Sequence, residues 1–329
     1  MTNEFHVSVI IAVYNAERFV TQAVQSALAQ PETAEVILIE DGSPDNALEV
    51  CQSLAKKHSR VCLLRHPDGE NRGAPASFNL GMKKANCEYL AILGADDYYL
   101  PGRFSVAKEI FASNPDCDGV YEAIGTIVQN EEAELRWRKS KEMQSNLITM
   151  TKFVPPEKLL EKLVLGGAGY FSPNGLVFKR NLVNLTGYMD ESLRLHQDND
   201  FMFKLAAVSK LLPGRLGEPV AIRRVHKNNR ITAPRSENQR FADRMKMWKV
   251  SYRWFLANSN REKRELILQA LTNFWMNNYT KTTNHQFYYL RELMKRISLF
   301  ILPFSLPEVV FEPYFWFRFL PTRLRQKYR

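Results

Sequence analysis

Four short apolar runs, each leading into a turn or a helical pattern, restrict this chain to one kind of architecture. The first, Val7–Val13, reads VSVIIAV, rich in β-branched residues and apolar almost throughout, as a strand buried on both faces must be. Asn15 follows it at a position suited to capping a helix. Val20, Ala23, Val24, Ala27 and Leu28 then fall at helical spacing, and Pro31 closes the unit. The next runs are 36–39, 61–64 and 89–93. Between them lie helical patterns, one with Leu48, Cys51, Leu54 and Ala55 on a single face and one over roughly 76–85. Repeated β-α units of this length specify an α/β fold with a parallel, doubly wound sheet.

Such sheets bind ligands at the carboxyl ends of their strands. Two of those ends are acidic here: Asp41 after the second run, and Asp96 with Asp97 after the fourth. Asp and Gly also serve simply as turn residues, and that alternative stands for Asp41. Two adjacent carboxylates after an apolar strand repel each other, and a cation is the usual remedy. The first strand runs into VYNAERF with no GxGxxG, and no GxxxxGK[ST] occurs, so dinucleotide and P-loop phosphate sites are excluded.

Composition divides the chain. Residues 230–329 hold 19 Lys/Arg against 7 Asp/Glu and 20 of the 38 aromatic residues, whereas residues 1–229 hold 26 against 28. A basic, aromatic back prefers an anionic partner, a membrane surface or a nucleic acid. The most apolar stretch, 298–320, contains Glu308, Glu312, Arg318 and three prolines, which argues against a spanning helix. Four cysteines with no CxxC pair argue against a disulfide scaffold or a cysteine zinc site, and the N-terminus lacks a signal-peptide pattern, so the expected compartment is the cytoplasm.

In order along the chain, VSVIIAVYNAERFVTQAVQSALAQ, VILIEDGSPDNA, NRGAPASFNLGMKKANCEYLAILGADDYYLPGRF and GYMDESLRLHQDNDFMFKLA resemble the successive motifs of the family 2 glycosyltransferases. The resemblance covers roughly residues 5–230. It implies the nucleotide-diphospho-sugar transferase (GT-A) fold, a Rossmann-like, mostly parallel sheet flanked by helices. The implied division is a catalytic domain over 1–230 and a basic, aromatic helical region over 231–329. It further implies an inverting transferase that uses a nucleotide-sugar donor, with UDP the expected nucleotide, and Mn²⁺ or Mg²⁺. The implied acceptor is a glycan or lipid-linked hydroxyl in cell-surface polysaccharide synthesis.

Carried over position by position, the resemblance makes Asp41 the contact to the base and Asp96 the ribose or a supporting contact. Asp97 becomes the metal ligand and Asp198 the general base. Ala12, Tyr14, Asn15, Glu17 and Arg72 join the nucleotide site, and His226, after a β-rich run, joins the metal or phosphate. Gly167, Asn174 and Gln197 fall to the acceptor side. The family's acidic motif often begins with another Asp where this chain has Gly94, its ED pair is Gln197-Asp198, and Phe78 stands where an Arg often precedes Asn79. Three structural alternatives stand beside these roles. His226 is an ordinary surface or core residue, the glycines around 167 are turns, and Asp198 or Asp200 caps the helix that follows.

The residues agree with the resemblance on physical grounds. A sugar diphosphate carries about two negative charges where its bond breaks, and a divalent cation held by a carboxylate stabilises the charge that develops. A carboxylate that removes the acceptor proton contributes about 10²–10⁴-fold. A nucleic-acid-binding protein and a nucleotidyltransferase are the alternatives. Acids at the strand ends would repel a phosphate backbone, so no nucleic-acid partner is expected, and VYNAERF lacks the Gly-rich basic loop of a nucleotidyltransferase. For the tail, the segment from Tyr314 to Phe319 is wholly aromatic or basic, with Arg323, Arg325, Lys327 and Arg329 beyond it. Phe315, Trp316, Phe317 and Phe319 would enter an anionic membrane surface, making the protein peripheral at the inner face of the cell membrane.

Overall fold

The apolar runs become strands whose side chains are buried most completely at the centre of the sheet, in the first and fourth runs, and least at its edge, in the third run. A computed structural model describes residues 4–129, 147–226, 229, 235–279, 299, 302–312 and 315–316. In chain order its elements begin β1 (Val7–Val13), α1 (Val20–Leu28), β2 (Thr33–Glu40), α2 (Ala47–Lys57), β3 (Val61–Arg65), α3 (Ala74–Lys84), β4 (Tyr89–Ile92), β5 (Tyr98–Tyr99) and α4 (Ser105–Ser113). Then come β6 (Gly119–Tyr121), β7 (Ile124–Val128), β8 (Leu147–Ile148), α5 (Pro156–Leu165), β9 (Leu176–Lys179), α6 (Val183–Thr186), α7 (Gln197–Val208), β10 (Leu211–Pro213) and β11 (Ala221–Val225). Last are α8 (Glu237–Asn258), α9 (Arg261–Tyr279) and α10 (Leu302–Ser305). The chain divides into two compact units, Met1–Arg235 and Ser236–Arg329.

Among the described residues of the first unit, a seven-stranded sheet has the order β10-β6-β9-β4-β1-β2-β3. β1 pairs in parallel with β2 and β4, and β2 with β3. The strand order therefore reverses between β1 and β4, and the crevice at their carboxyl ends is the expected ligand site. β9 runs antiparallel to both β4 and β6, a departure from the all-parallel pattern of the first units. A four-stranded sheet, β5-β11-β7-β8, ties the segment after β4 to the strand before His226.

Alternation in β1 divides its side chains between two layers. Val7, Val9, Ile11 and Val13 join Val20, Ala23, Val24 and Ala27 of α1 and Cys51 and Leu54 of α2 in one core. Each Val, Ile or Leu among them contributes about 1.5–3 kcal/mol on burial. The opposite face closes on α3, where Gly81 lies so near that a Cβ would stand 2.3 Å from Ile10 Cγ2. Asn15 does not cap α1. Its backbone is left-handed, with φ 52°, and the N-cap position belongs to Phe19. Asn tolerates that conformation, and the turn it makes lifts the chain off the end of β1.

In the second unit α8 starts at a capping box: Gln239 N donates to Ser236 Oγ at 3.2 Å, and Ser236 N to Gln239 Oε1 at 2.9 Å. Met245, Trp248, Tyr252 and Phe255 of α8 are buried, as are Ile267, Leu268 and Leu271 of α9. Phe241 stacks on Phe274 with ring centroids 5.6 Å apart. Tyr288, Leu290 and Met294, and the tail residues Phe317, Arg318, Phe319 and beyond, lie outside the described residues. Phe315 corrects the tail reading: it is fully buried and so cannot enter a membrane. No described helix is long and apolar enough to cross a membrane.

Candidate active site

The loops that leave β1, β2 and β4 converge on the crevice, and Asp41 organises the first wall. Its Oδ1 accepts from Arg72 N at 2.8 Å, and its Oδ2 from Gly73 N at 2.9 Å and Asn71 Nδ2 at 3.1 Å. His66 Nε2, 3.5 Å from Oδ1, bridges to Ser77 Oγ at 3.1 Å. The carboxylate thus pins the loop 71–73 at the start of α3, and the same loop packs on Gly42, where a Cβ would meet Asn71 N at 2.8 Å. The Arg72 side chain turns outward to Asp68, with Nε at 3.2 Å from its carboxylate. The loop after β1 is tied to the loop after β2: Asn15 N donates to Ser43 Oγ at 3.2 Å, and Glu17 N to Asp45 Oδ2 at 2.9 Å. Glu17 accepts from Asn46, Tyr14 is half-exposed, and Ala12 is the last residue but one of β1.

The two adjacent acids diverge. Asp97 is buried, with Oδ1 accepting from Arg224 N at 2.8 Å and Oδ2 from Asn174 Nδ2 at 2.6 Å. Burial first, and then the neighbouring Asp96 charge, push its carboxyl up to about 7, against the pull of those two hydrogen bonds. Asp96 keeps its side chain 31% exposed, with Oδ2 lying 3.1 Å from His226 Nε2 and accepting from Asn229 Nδ2 at 2.7 Å. Asn229 also accepts from His226 N. Arg224 joins the two acids from behind: its Nη1 donates to Asp96 O at 2.7 Å, and its guanidinium lies over the Tyr98 and Phe19 rings.

Gly94, in place of the family's first acid, has a steric reason. Its absent side chain leaves room for Asp97, whose Oδ2 would stand 2.6 Å from a Cβ. Asn174 Oδ1 accepts from Gly94 N at 3.1 Å, so one amide closes both ends of this turn. Asn174 is therefore a buried support behind the acids and not an open acceptor wall. Gly94→Ala is expected to destabilise the protein by about 1–3 kcal/mol, read as a lowered urea midpoint. An unchanged midpoint would mean that Asp97 does not fold back over Gly94.

Asp198 stands in the first turn of α7, where exposed N–H groups favour a negative side chain. It does not cap α7: the N-cap position is His196, and Asp198 Oδ1 accepts from the adjacent Asn199 N at 2.9 Å. Asp200 is fully buried and pairs with Lys204 Nζ at 2.6 Å, which removes it as an alternative base. Gln197 Oε1 is shielded from solvent and accepts no hydrogen bond from the described residues. His196 holds φ 62°, and together with Asn15 it makes up the positive-φ non-glycine residues of the described chain. Backbone strain of this kind, of order 1–3 kcal/mol, gathers where a site needs a fixed direction. α7 is seated on the sheet through Phe201 against Phe178 of β9. Asn79 anchors the preceding loop, donating to Met189 O and to Glu191 Oε1, each at 2.9 Å. Gly167 is exposed, with nothing within 4 Å of where a Cβ would stand.

Sequence reasoning missed the parts played by Asn229, Asn79 and the Arg224 backbone. Among the described residues no group of three or more His, Cys, Asp and Glu side chains is arranged to hold a metal ion. The Asp96–His226 pair supplies two donors, and a cation there would take its remaining oxygens from a ligand and water.

A family model for glycosyl transferase family 2 matches residues 8–184, more than half of the chain. The chain belongs to glycosyltransferase family 2. A relative from Rhizobium meliloti, succinoglycan biosynthesis protein ExoU, is 29% identical over 203 residues, which are 61% of this chain and 57% of that protein. An uncharacterized glycosyltransferase from Nostoc sp. is 27% identical over 244 residues, 72% of this chain and 70% of the relative. The chain thus spans little more than half of the first of these family members. Among solved structures, S. aureus TarS 1-349 in complex with UDP-GlcNAc superposes with a TM-score of 0.62 at 16% identity, covering 97% of this chain and 85% of that one. A Pyrobaculum calidifontis mannosyltransferase in complex with GDP-Man and Mn²⁺ gives 0.52 at 16% identity, over 98% and 84% of the two chains. These likenesses are of fold, and the fold of this family 2 chain is GT-A.

Proposed function

We propose that the protein is an inverting glycosyltransferase that moves a sugar from a nucleotide diphosphate donor, a UDP-sugar by preference, to a hydroxyl of a glycan or lipid-linked acceptor. The observation that carries this reading is the pairing of Asp96 Oδ2 with His226 Nε2 at 3.1 Å, at the carboxyl edge where β4 and β11 end. Family membership and the donors bound by the two fold neighbours support it. Asp96 and His226, in place of Asp97, would hold Mn²⁺ or Mg²⁺. When bound, that ion supplies positive charge against the donor diphosphate.

The remaining roles belong to the chain's own groups. The wall pinned by Asp41, with Tyr14 beside it, receives the nucleoside. Asp97, Asn174 and Arg224 hold Asp96 outward. Asp198 takes the proton of the acceptor hydroxyl as its oxygen attacks the anomeric carbon. The new glycosidic bond forms as the sugar–phosphate bond breaks, the nucleoside diphosphate leaves with the bonding pair, and the anomeric configuration inverts. The likeness to a succinoglycan biosynthesis protein supports a polysaccharide acceptor, and the basic C-terminal unit supports work on the cytoplasmic face of a membrane.

The test is thermal unfolding against a panel of nucleotide sugars with Mn²⁺. A bound donor at 100 times its dissociation constant adds about 2.7 kcal/mol of stability, so the true donor raises the unfolding temperature and mismatched donors do not. A panel with no stabilising member would overturn the reading.

A further inference from the structure

The C-terminal unit presents an apolar shelf to solvent. Phe304 and Phe311 are 88% and 86% exposed, and Pro307, Val310 and Trp316 are exposed beside them in sequence. Five described residues of 302–316, Phe304, Pro307, Val310, Phe311 and Trp316, are both exposed and apolar, an unusual density for a surface segment. The shelf is held in place from behind. Leu302, Leu306, Val309 and Phe315 are fully buried, and Glu312 forms an ion pair with Arg264, 2.9 Å from Oε1 to Nε. Trp316 Nε1 donates to Val310 O at 2.7 Å, so its indole is oriented while its ring stays half-exposed.

The charges nearby fit one kind of occupant. Arg253 of α8 meets Glu308, within the shelf, at 3.0 Å, and Lys249 stands one turn away on the same helix. Residues 236–329 hold 17 Lys/Arg against 7 Asp/Glu, and five of those 17 cations, Arg318, Arg323, Arg325, Lys327 and Arg329, follow Trp316 in sequence with no acid among them. Two units of such net charge repel each other, whereas an anionic surface attracts them. Aromatic rings beside cations are the combination that lies in a bilayer interface.

We propose that Phe304, Phe311 and Trp316 form a membrane-docking surface that enters the interface of an anionic bilayer, to which the net positive charge of the unit draws it. The inference stands on the C-terminal unit alone and does not depend on the donor or the reaction.

Flotation of the full chain tests it, with vesicles of phosphatidylcholine alone and of equal parts phosphatidylcholine and phosphatidylglycerol. The protein is expected to partition onto the anionic vesicles, less strongly in high salt but not to zero, because apolar contact is unscreened. The Phe304→Ser/Phe311→Ser variant is expected to lose at least about tenfold in partition coefficient, with its unfolding temperature and nucleotide binding unchanged. Phe304→Trp/Phe311→Trp, which keeps apolar rings, is expected to retain binding even if the serine variant misfolds. Equal partition of a folded serine variant, loss of binding in the tryptophan variant, or no partition of the parent protein would overturn the proposal. So would a dimer in sedimentation velocity that the serine variant dissolves, since a second copy would then cover the shelf.

Discussion

Asp198→Asn is expected to lower turnover by at least about 10²-fold while leaving folding and donor binding intact. The acid stands at the first turn of α7 with one oxygen on the adjacent Asn199 N. Asparagine keeps the size and an oxygen for that contact but cannot take the acceptor proton. Because the N-cap position is His196, the substitution removes no cap from α7. In the proposed mechanism the acid acts on the acceptor, so the loss should fall on kcat and not on donor affinity. Turnover near that of the parent protein would place the base elsewhere, and it would not be Asp200, which is buried against Lys204.

Asp96→Ala is expected to be more damaging, costing at least about 10³-fold in turnover, because removing a charge-stabilising group from developing transition-state charge costs several kcal/mol. The variant should remain folded. Asp96 is partly exposed, and its loss relieves the repulsion with Asp97. With that neighbouring charge gone, the Asp97 carboxyl falls back toward its ordinary range. A variant with parental turnover would mean that the cation, if any, is held by other groups.

The front of the fold was legible because buried parallel strands have a strong signature. VSVIIAV and the runs after it lie in the central sheet, and the acids read at their ends stand at its carboxyl edge. The division of labour between Asp96 and Asp97 was not legible. Which of two adjacent carboxylates turns inward is decided by Asn174 and Arg224, 77 and 127 residues further along the chain. Gly94 read as a missing ligand, when the space it leaves is filled by Asp97. The four-stranded sheet escaped notice because Tyr98–Tyr99 and Leu147–Ile148 are too short to show a period. In the tail, composition drew attention to the aromatics but could not say which of them face inward. Phe315 packs into the unit, while Phe304 and Phe311, further back, stand in solvent.

The central claim is that a cation held by Asp96 and His226 receives a nucleotide diphosphate at the crevice. Calorimetric titration with UDP tests it most directly, using the parent protein and Asp96→Ala, each with Mn²⁺ and again with EDTA. The account predicts binding by the parent protein in Mn²⁺, loss of most of that affinity in EDTA, and little difference between the two conditions for Asp96→Ala. Parental binding that is equally tight in EDTA, or an Asp96→Ala variant that still gains affinity from Mn²⁺, would contradict it.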